Sequence, residues 1–233
     1  MIIVKLLALE SSGLVASAAI VEDDVLIAEY TTNFKKTHSQ TLLPMVDEIV
    51  RMTETDLSTI DAVAISAGPG SFTGLRIGAA TAKGLCLALD KPIIAVPTLD
   101  ALIYGVGPTE KLVIPIMDAR RNQVYTKFAG ESTAMDMHEL SSALNEMCGP
   151  AGCDAGREVL FLGDGVPVYR DQIEAEMTIA HSYAPAHLNR QRAASVGALA
   201  LTLEPMDADI FAPEYLRKSQ AEREKEEKEN ICG

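Results

Sequence analysis

The residues with most chemical potential form one run, Ser66-Ala67-Gly68-Pro69-Gly70-Ser71-Phe72-Thr73-Gly74-Leu75-Arg76. A glycine-rich loop between an apolar run and a helical pattern is a ready setting for an anion, because the first N–H groups of a helix have no partners. Two details argue against a nucleotide loop. Pro69 removes one donor, and no lysine follows Gly74 as a Walker-type loop requires. Ser71 or Thr73 suits the capping position instead. The run predicts a rigid turn that launches a helix.

Other candidates are weaker. Ser11, Ser12, Ser66 and Ser71 stand near turns, but none has the Gly-x-Ser-x-Gly form of a hydrolase elbow. His38, His181 and His187 lack a second ligand at metal spacing, and Cys148-x4-Cys153 has the wrong spacing for zinc. Cys86 lies in an apolar helical pattern and reads as a buried thiol. Asp118-Ala119-Arg120-Arg121 and Gly163-Asp164-Gly165 both follow strand-like runs, where charges emerge at a strand end. Asp118 there suits a local ion pair, and Asp164 suits either a tight turn or a cleft.

These residues need elements to hold them. Residues 2–9, Val15–Ile20 and Val25–Thr31 read as three strands joined by polar turns, the first turn being Glu10-Ser11-Ser12-Gly13. Leu42, Leu43, Val46, Ile49 and Val50 recur at helical spacing and predict a helix over Ser39–Met52. Asp61–Ser66 reads as a buried strand, Gly74–Leu89 as a helix and Ile93–Val96 as a further strand. Pro97, Gly105, Gly107 and Pro108 mark a boundary near residues 97–110. Strands resume at Leu112–Met117, Gln123–Phe128 and Val159–Leu162, with helices near Met137–Met147 and Asn189–Leu201, the last packing back on the first half.

Gly74, Gly78 and Ala82 fall at i, i+4 and i+8, one small face on the second helix. Glycine inside a helix costs about 0.5–1 kcal/mol relative to alanine, so Gly78 and Gly84 ask for a packing reason. Close packing within the chain and a subunit interface both satisfy that requirement. Arg76 opposes the helix dipole and is expected to reach a carboxylate or a partner.

The chain has 233 residues, 48% hydrophobic and 23% charged, with a formal charge of −13. Such a field repels bare nucleic acid and anionic lipid unless a basic patch intervenes. The basic pieces are short (Lys35-Lys36 with His38, Arg120-Arg121, and Arg190 with Arg192), and none is interleaved with aromatics along the chain. Tight RNA binding by the chain alone is therefore not expected. Cys86, Cys148, Cys153 and Cys232 suit a reducing compartment. The opening Met1–Lys5 has no signal-peptide pattern and no stretch reaches membrane-span length, which predicts a cytoplasmic protein.

The segment Gly68–Gly78, preceded by Asp61–Ser66, resembles the signature of the bacterial TsaB family of tRNA threonylcarbamoyladenosine biosynthesis proteins. His38-Ser39-Gln40-Thr41-Leu42-Leu43-Pro44, Asp118–Arg121 with Val124-Tyr125, and Pro213-x-Tyr215-Leu216-Arg217 extend the resemblance over nearly the whole chain. It implies an α/β, actin-like (ribonuclease H-like) two-domain fold: residues 1–100, residues 101–216 and a charged tail, 217–233. It further implies a non-catalytic subunit that pairs with a TsaD-like catalytic chain and a TsaE-like ATPase. That assembly transfers threonylcarbamoyl to N6 of adenosine 37 in tRNAs reading ANN codons. A homodimer is expected when the partner is absent, with tRNA reached only through the complex and no membrane involved. No intrinsic cofactor is implied; ATP and metal belong to the partner subunits. The residues implied to bind the partner are His38, Leu42, Val46, Gly70, Phe72, Thr73, Gly74, Arg76, Gly78 and Ala82. Glu10 stands where many actin-like proteins place aspartate, a departure that counts against intrinsic ATP binding. The competing expectation is an independent actin-like enzyme, an ATPase or a metallopeptidase-like hydrolase.

Overall fold

The computed structural model describes residues 4–34 and 36–217; Lys35, Cys232 and the tail beyond Arg217 lie outside them. The first half is a five-stranded sheet of β1 (Lys5–Glu10), β2 (Ala16–Glu22), β3 (Val25–Thr32), β4 (Ala62–Gly68) and β5 (Ile93–Pro97), in the order β3-β2-β1-β4-β5. β1, β2 and β3 pair antiparallel, whereas β1, β4 and β5 run parallel. The second half repeats that plan. Its strands are β6 (Leu112–Asp118), β7 (Gln123–Phe128), β8 (Glu131–Asp136), β9 (Val159–Leu162) and β10 (His181–Tyr183), ordered β8-β7-β6-β9-β10.

The alternation of large and small side chains explains how the first sheet is covered on both faces. Leu7, Leu9, Ile20, Val63 and Ile65 point to one face and meet α1 (His38–Thr53) and α2 (Phe72–Leu89). The small Ala8, Ala19, Ala62 and Ala64 point to the other, where α6 (Ala193–Ala200) lies close. A Cβ on Gly197 of α6 would stand 2.6 Å from Val21 Cγ2 and 3.1 Å from Ala8 Cβ. A sheet buried on both faces reads as a nearly unbroken apolar run, as β1 and β4 do. Arg192, just before α6, is paired with the buried carboxylate of Glu29 on β3, which pins the returning segment.

Several elements differ from expectation. The stretch around residues 97–110 is no bare linker, because Thr98–Tyr104 forms α3, whose Leu99 and Leu102 are buried between the two halves. Pro97 and Gly105 are its caps, so residues that punctuate a chain here frame a short helix. Val166–Glu176 forms α5, with Pro167 in its first turn, and it packs with α4 (Met137–Cys148) on the second sheet. β8 and β10 are half-buried edge strands with little apolar pattern. The last predicted helix begins four residues late, at Ala193. No described helix is long and apolar enough to cross a membrane.

Candidate functional site: an interdomain cleft and the helix beside it

The first turn, Ser11–Gly13, and the start of α2 face the second half across a cleft of about 540 Å³. Its walls include Ser12, Gly13, Leu14, Gly70 to Thr73, Asp118 to Arg120, Tyr125 and Asp164. Ser71 caps α2 through its Oγ, which accepts from Gly74 N at 3.3 Å, and Ser71 N donates to the Ser12 carbonyl at 2.6 Å. The glycine-rich run is thus tied to the first turn. Gly68 has φ +124°, and a Cβ there would collide with the Glu214 carbonyl, so glycine is required at that position.

The cleft floor is acidic and buried. Glu10 Oε1 accepts from Ser12 N at 2.5 Å and Ser12 Oγ at 2.6 Å. Burial pushes the Glu10 carboxyl above its ordinary value, the Ser12 bonds only partly opposing it. Asp164 is also raised, mainly by burial, and accepts from Asp118 N at 3.2 Å. A Cβ on Gly13 would lie 2.7 Å from Gln191 Nε2 and 3.0 Å from Asp164 Oδ2, so the two halves touch here. Behind the floor is a chamber of about 10 Å³, bordered by Glu10, Thr98 and Gln191. Glu10 Oε2 and Thr98 Oγ1 are buried there without partners among the described residues. The volume suits one water.

Asp118 makes the local contacts expected of it. Oδ1 accepts from Arg120 N at 2.9 Å and Tyr169 OH at 3.2 Å, and Oδ2 pairs with Arg120 Nη1 at 3.2 Å. Burial and the nearby Asp118 push the Tyr169 hydroxyl up to about 12. The loop beyond it is unusual: Arg120, Arg121 and Asn122 have φ of +65°, +54° and +60°. A left-handed non-glycine residue costs about 1–2 kcal/mol. Here the turn is held by Gln123 N on the Arg120 carbonyl at 3.1 Å and Asn122 Nδ2 on Asp136 Oδ2 at 3.0 Å.

The residues implied to bind a partner divide sharply. Leu42, Val46, Gly74, Gly78 and Ala82 lie in the core. A Cβ on Gly74 would strike the Ser11 carbonyl, and one on Gly78 would strike Ser11 Oγ. The small face found in the sequence therefore packs inward, against the first turn, and any contribution it makes to a partner surface is indirect. His38 is half-buried and its Nε2 donates to the Gly13 carbonyl at 2.9 Å, anchoring α1 to that turn. Gly70 and Phe72 are half-buried at the cleft edge; Thr73 and Arg76 are exposed. Arg76 has no carboxylate partner among the described ion pairs, its Cζ standing 3.9 Å above the Phe72 ring.

A second small stripe is not evident from the sequence. Ala80, Gly84 and Ala88 share the spacing of the first stripe, but they face solvent. Leu87 beside them is 85% exposed, and a Cβ on Gly84 would meet nothing within 4 Å. On neighbouring α1, Leu43, Pro44, Asp47 and Arg51 form an exposed stripe, Leu43 being 54% exposed. Tyr215 and Arg217, which the sequence marks only as part of a motif, also reach the cleft edge. Tyr215 stacks on Phe72 at 4.7 Å between centroids, and Arg217 Nη1 donates to the Ala119 carbonyl at 2.5 Å. His138, the fourth histidine, stands at the start of α4 beside Glu176. Among the described residues no group of three or more His, Cys, Asp or Glu could hold a metal ion.

A family model described as "TsaD: tRNA N6-adenosine threonylcarbamoyltransferase" matches residues 26–225. The chain is similar to the tRNA threonylcarbamoyladenosine biosynthesis protein TsaB of Bacillus subtilis (strain 168), 31% identical over 93% of this chain and 96% of the relative. It also superposes on YeaZ from Pseudomonas aeruginosa with a TM-score of 0.71 and 26% identity, covering 91% of this chain and 100% of that one. A more distant likeness, to the ethanolamine utilization protein EutJ from Carboxydothermus hydrogenoformans, has a TM-score of 0.53 at 8% identity over 83% of this chain and 89% of the other. With the twice-repeated strand order, these matches give the chain an α/β, actin-like fold.

Proposed function

The chain belongs to the TsaB family of tRNA threonylcarbamoyladenosine biosynthesis proteins, and from that premise we propose that it is a non-catalytic subunit of the modifying assembly. It pairs with a TsaD-like catalytic chain, works with a TsaE-like ATPase and reaches tRNA within the complex. The observation that carries this reading is the outer face of α1 and α2. Ala80, Gly84 and Ala88 let a second helix backbone come close, while Leu43 and Leu87 supply exposed apolar anchors. Self-pairing of the same face gives the homodimer when the partner is absent.

The site chemistry supports an auxiliary role with no cofactor of its own. Glu10 is fully buried, biased toward its neutral form and engaged by Ser12, a poor ligand for a nucleotide-bound cation. No lysine is among the described cleft-lining residues. ATP and metal are accordingly assigned to the partner subunits.

Reconstitution tests the proposal. The purified chain, mixed with a TsaD-like chain and the remaining components, should shift the partner to a larger complex on size measurement. Modification of a tRNA transcript should require it. Full modification with this chain omitted would overturn the proposal, and stoichiometric nucleotide or metal binding by the chain alone would favour an independent enzyme.

A further inference from the structure

Basic residues that are scattered in the sequence join into one track at the cleft mouth. Arg76 lies over Phe72, Phe72 stacks on Tyr215, and two residues later Arg217 bonds the Ala119 carbonyl, next to Arg120 and Arg121. Aromatic and basic side chains from distant parts of the chain alternate here in space. Tyr215 is 39% exposed and the side chain of Arg120 81% exposed. The β6–β7 turn, with its three left-handed residues, places Arg120 in the cleft wall and leaves Arg121 exposed beside it.

Among the described residues the acidic groups nearby are Asp118, Asp164 and Glu214. Asp164 is buried and pushed toward its neutral form. Asp118 pairs with Arg120, but an ion pair with so exposed a guanidinium is held weakly, so a phosphate can take its place. Arg76, Arg121 and Arg217 have no carboxylate partner among the described ion pairs. The described arginines thus gather along one rim of a chain whose net charge is −13. Spaced arginines with an aromatic between them are the chemistry that follows a single strand of nucleic acid, the cations on phosphates and the ring on a base.

We propose that this rim guides a single-stranded stretch of the tRNA while the chain sits in its complex, Arg120, Arg121 and Arg217 meeting phosphates and Tyr215 a base. This rests on the family reading above, since the complex brings the RNA to the rim. The net negative charge keeps the free chain's hold on RNA weak and salt-sensitive, and the rim contributes most when the complex tethers it.

The test uses the complex with a TsaD-like chain and unmodified tRNA, binding being titrated over a series of salt concentrations. An R120A/R121A double variant should assemble normally but bind tRNA about tenfold more weakly. The slope of log affinity against log salt should fall by about 1.4, at about 0.7 for each single-strand phosphate that is no longer neutralised. Unchanged affinity and slope in an assembled complex would overturn the proposal. So would failure to assemble with the protein partner, which would make the arginines part of the protein interface. If the wild-type chain forms no complex, the family reading fails first. The rim is then tested on the isolated chain with a fluorescent single-stranded oligoribonucleotide. Weak, salt-sensitive binding that R120A/R121A abolishes supports it; binding indifferent to the variant, or none at all, sinks it.

Discussion

Helix α2 carries two stripes of small residues with the same spacing and opposite surroundings. Gly74, Gly78 and Ala82 face inward, where Ser11 leaves no room for a Cβ on either glycine. Ala80, Gly84 and Ala88 face outward into solvent, and Gly84 has open space where a side chain would stand. The inner stripe needs small residues for this chain to fold. The outer stripe has no such need within the chain, which suits the partner docking proposed for that face. A glycine in mid-helix that costs stability and packs against nothing is the more informative of the two.

The largest effect should come from breaking the inner stripe. Gly78→Leu drives a side chain into Ser11 and Ile65, and overpacking of that kind costs about 3 kcal/mol. Chemical denaturation of the isolated chain should show the destabilisation; a variant as stable as wild type would mean that the turn yields and the inner stripe is not a packing requirement. Next is Leu87→Lys on the outer face. It should leave the denaturation midpoint almost unchanged and weaken pairing with a TsaD-like chain about tenfold, the effect of removing an apolar anchor. Equal affinity for both chains would move the interface elsewhere.

A smaller effect probes the turn against which the inner stripe packs. Glu10, one residue before Ser11, has its carboxyl raised above 4.5 by burial. The folded chain therefore keeps a proton that the unfolded chain releases, so this contribution to stability is complete below about pH 4.5 and declines as pH rises. Glu10→Gln retains an acceptor for Ser12 and removes the titration. Denaturation midpoints should move in favour of the variant between about pH 5 and 8. A constant difference over that range would mean that Glu10 titrates alike in both states. The smallest effect is Gly84→Ala, which should stabilise the isolated chain by about 0.5–1 kcal/mol on the same denaturation measurement.

The same helix shows what a sequence can and cannot disclose. Spacing places α2 over Gly74–Leu89 against the observed Phe72–Leu89, and α1 over Ser39–Met52 against His38–Thr53, because local periodicity is written in consecutive residues. The side of α2 that meets the sheet is not local. It depends on Ser11, more than sixty residues earlier, so spacing reveals the inner stripe and leaves its direction open. The outer stripe is harder to see because alanine draws less attention than glycine. Composition hides α3 as well, since Pro97 and Gly105 mark linkers and helix caps alike. The chamber behind the cleft joins Glu10, Thr98 and Gln191, the cleft joins Ser12, Asp118 and Asp164, and the rim joins Arg76, Phe72 and Tyr215. No spacing rule connects residues so far apart. Only the closed fold brings them together.

The claim that the outer stripe is a docking face comes down to Gly84→Leu. The isolated variant should be as stable as wild type or slightly more so, because its side chain enters open space. Sedimentation velocity with a TsaD-like chain should then show pairing weakened about tenfold or more, as the added bulk holds the two helices apart. Pairing of undiminished strength by a folded Gly84→Leu chain would contradict the account.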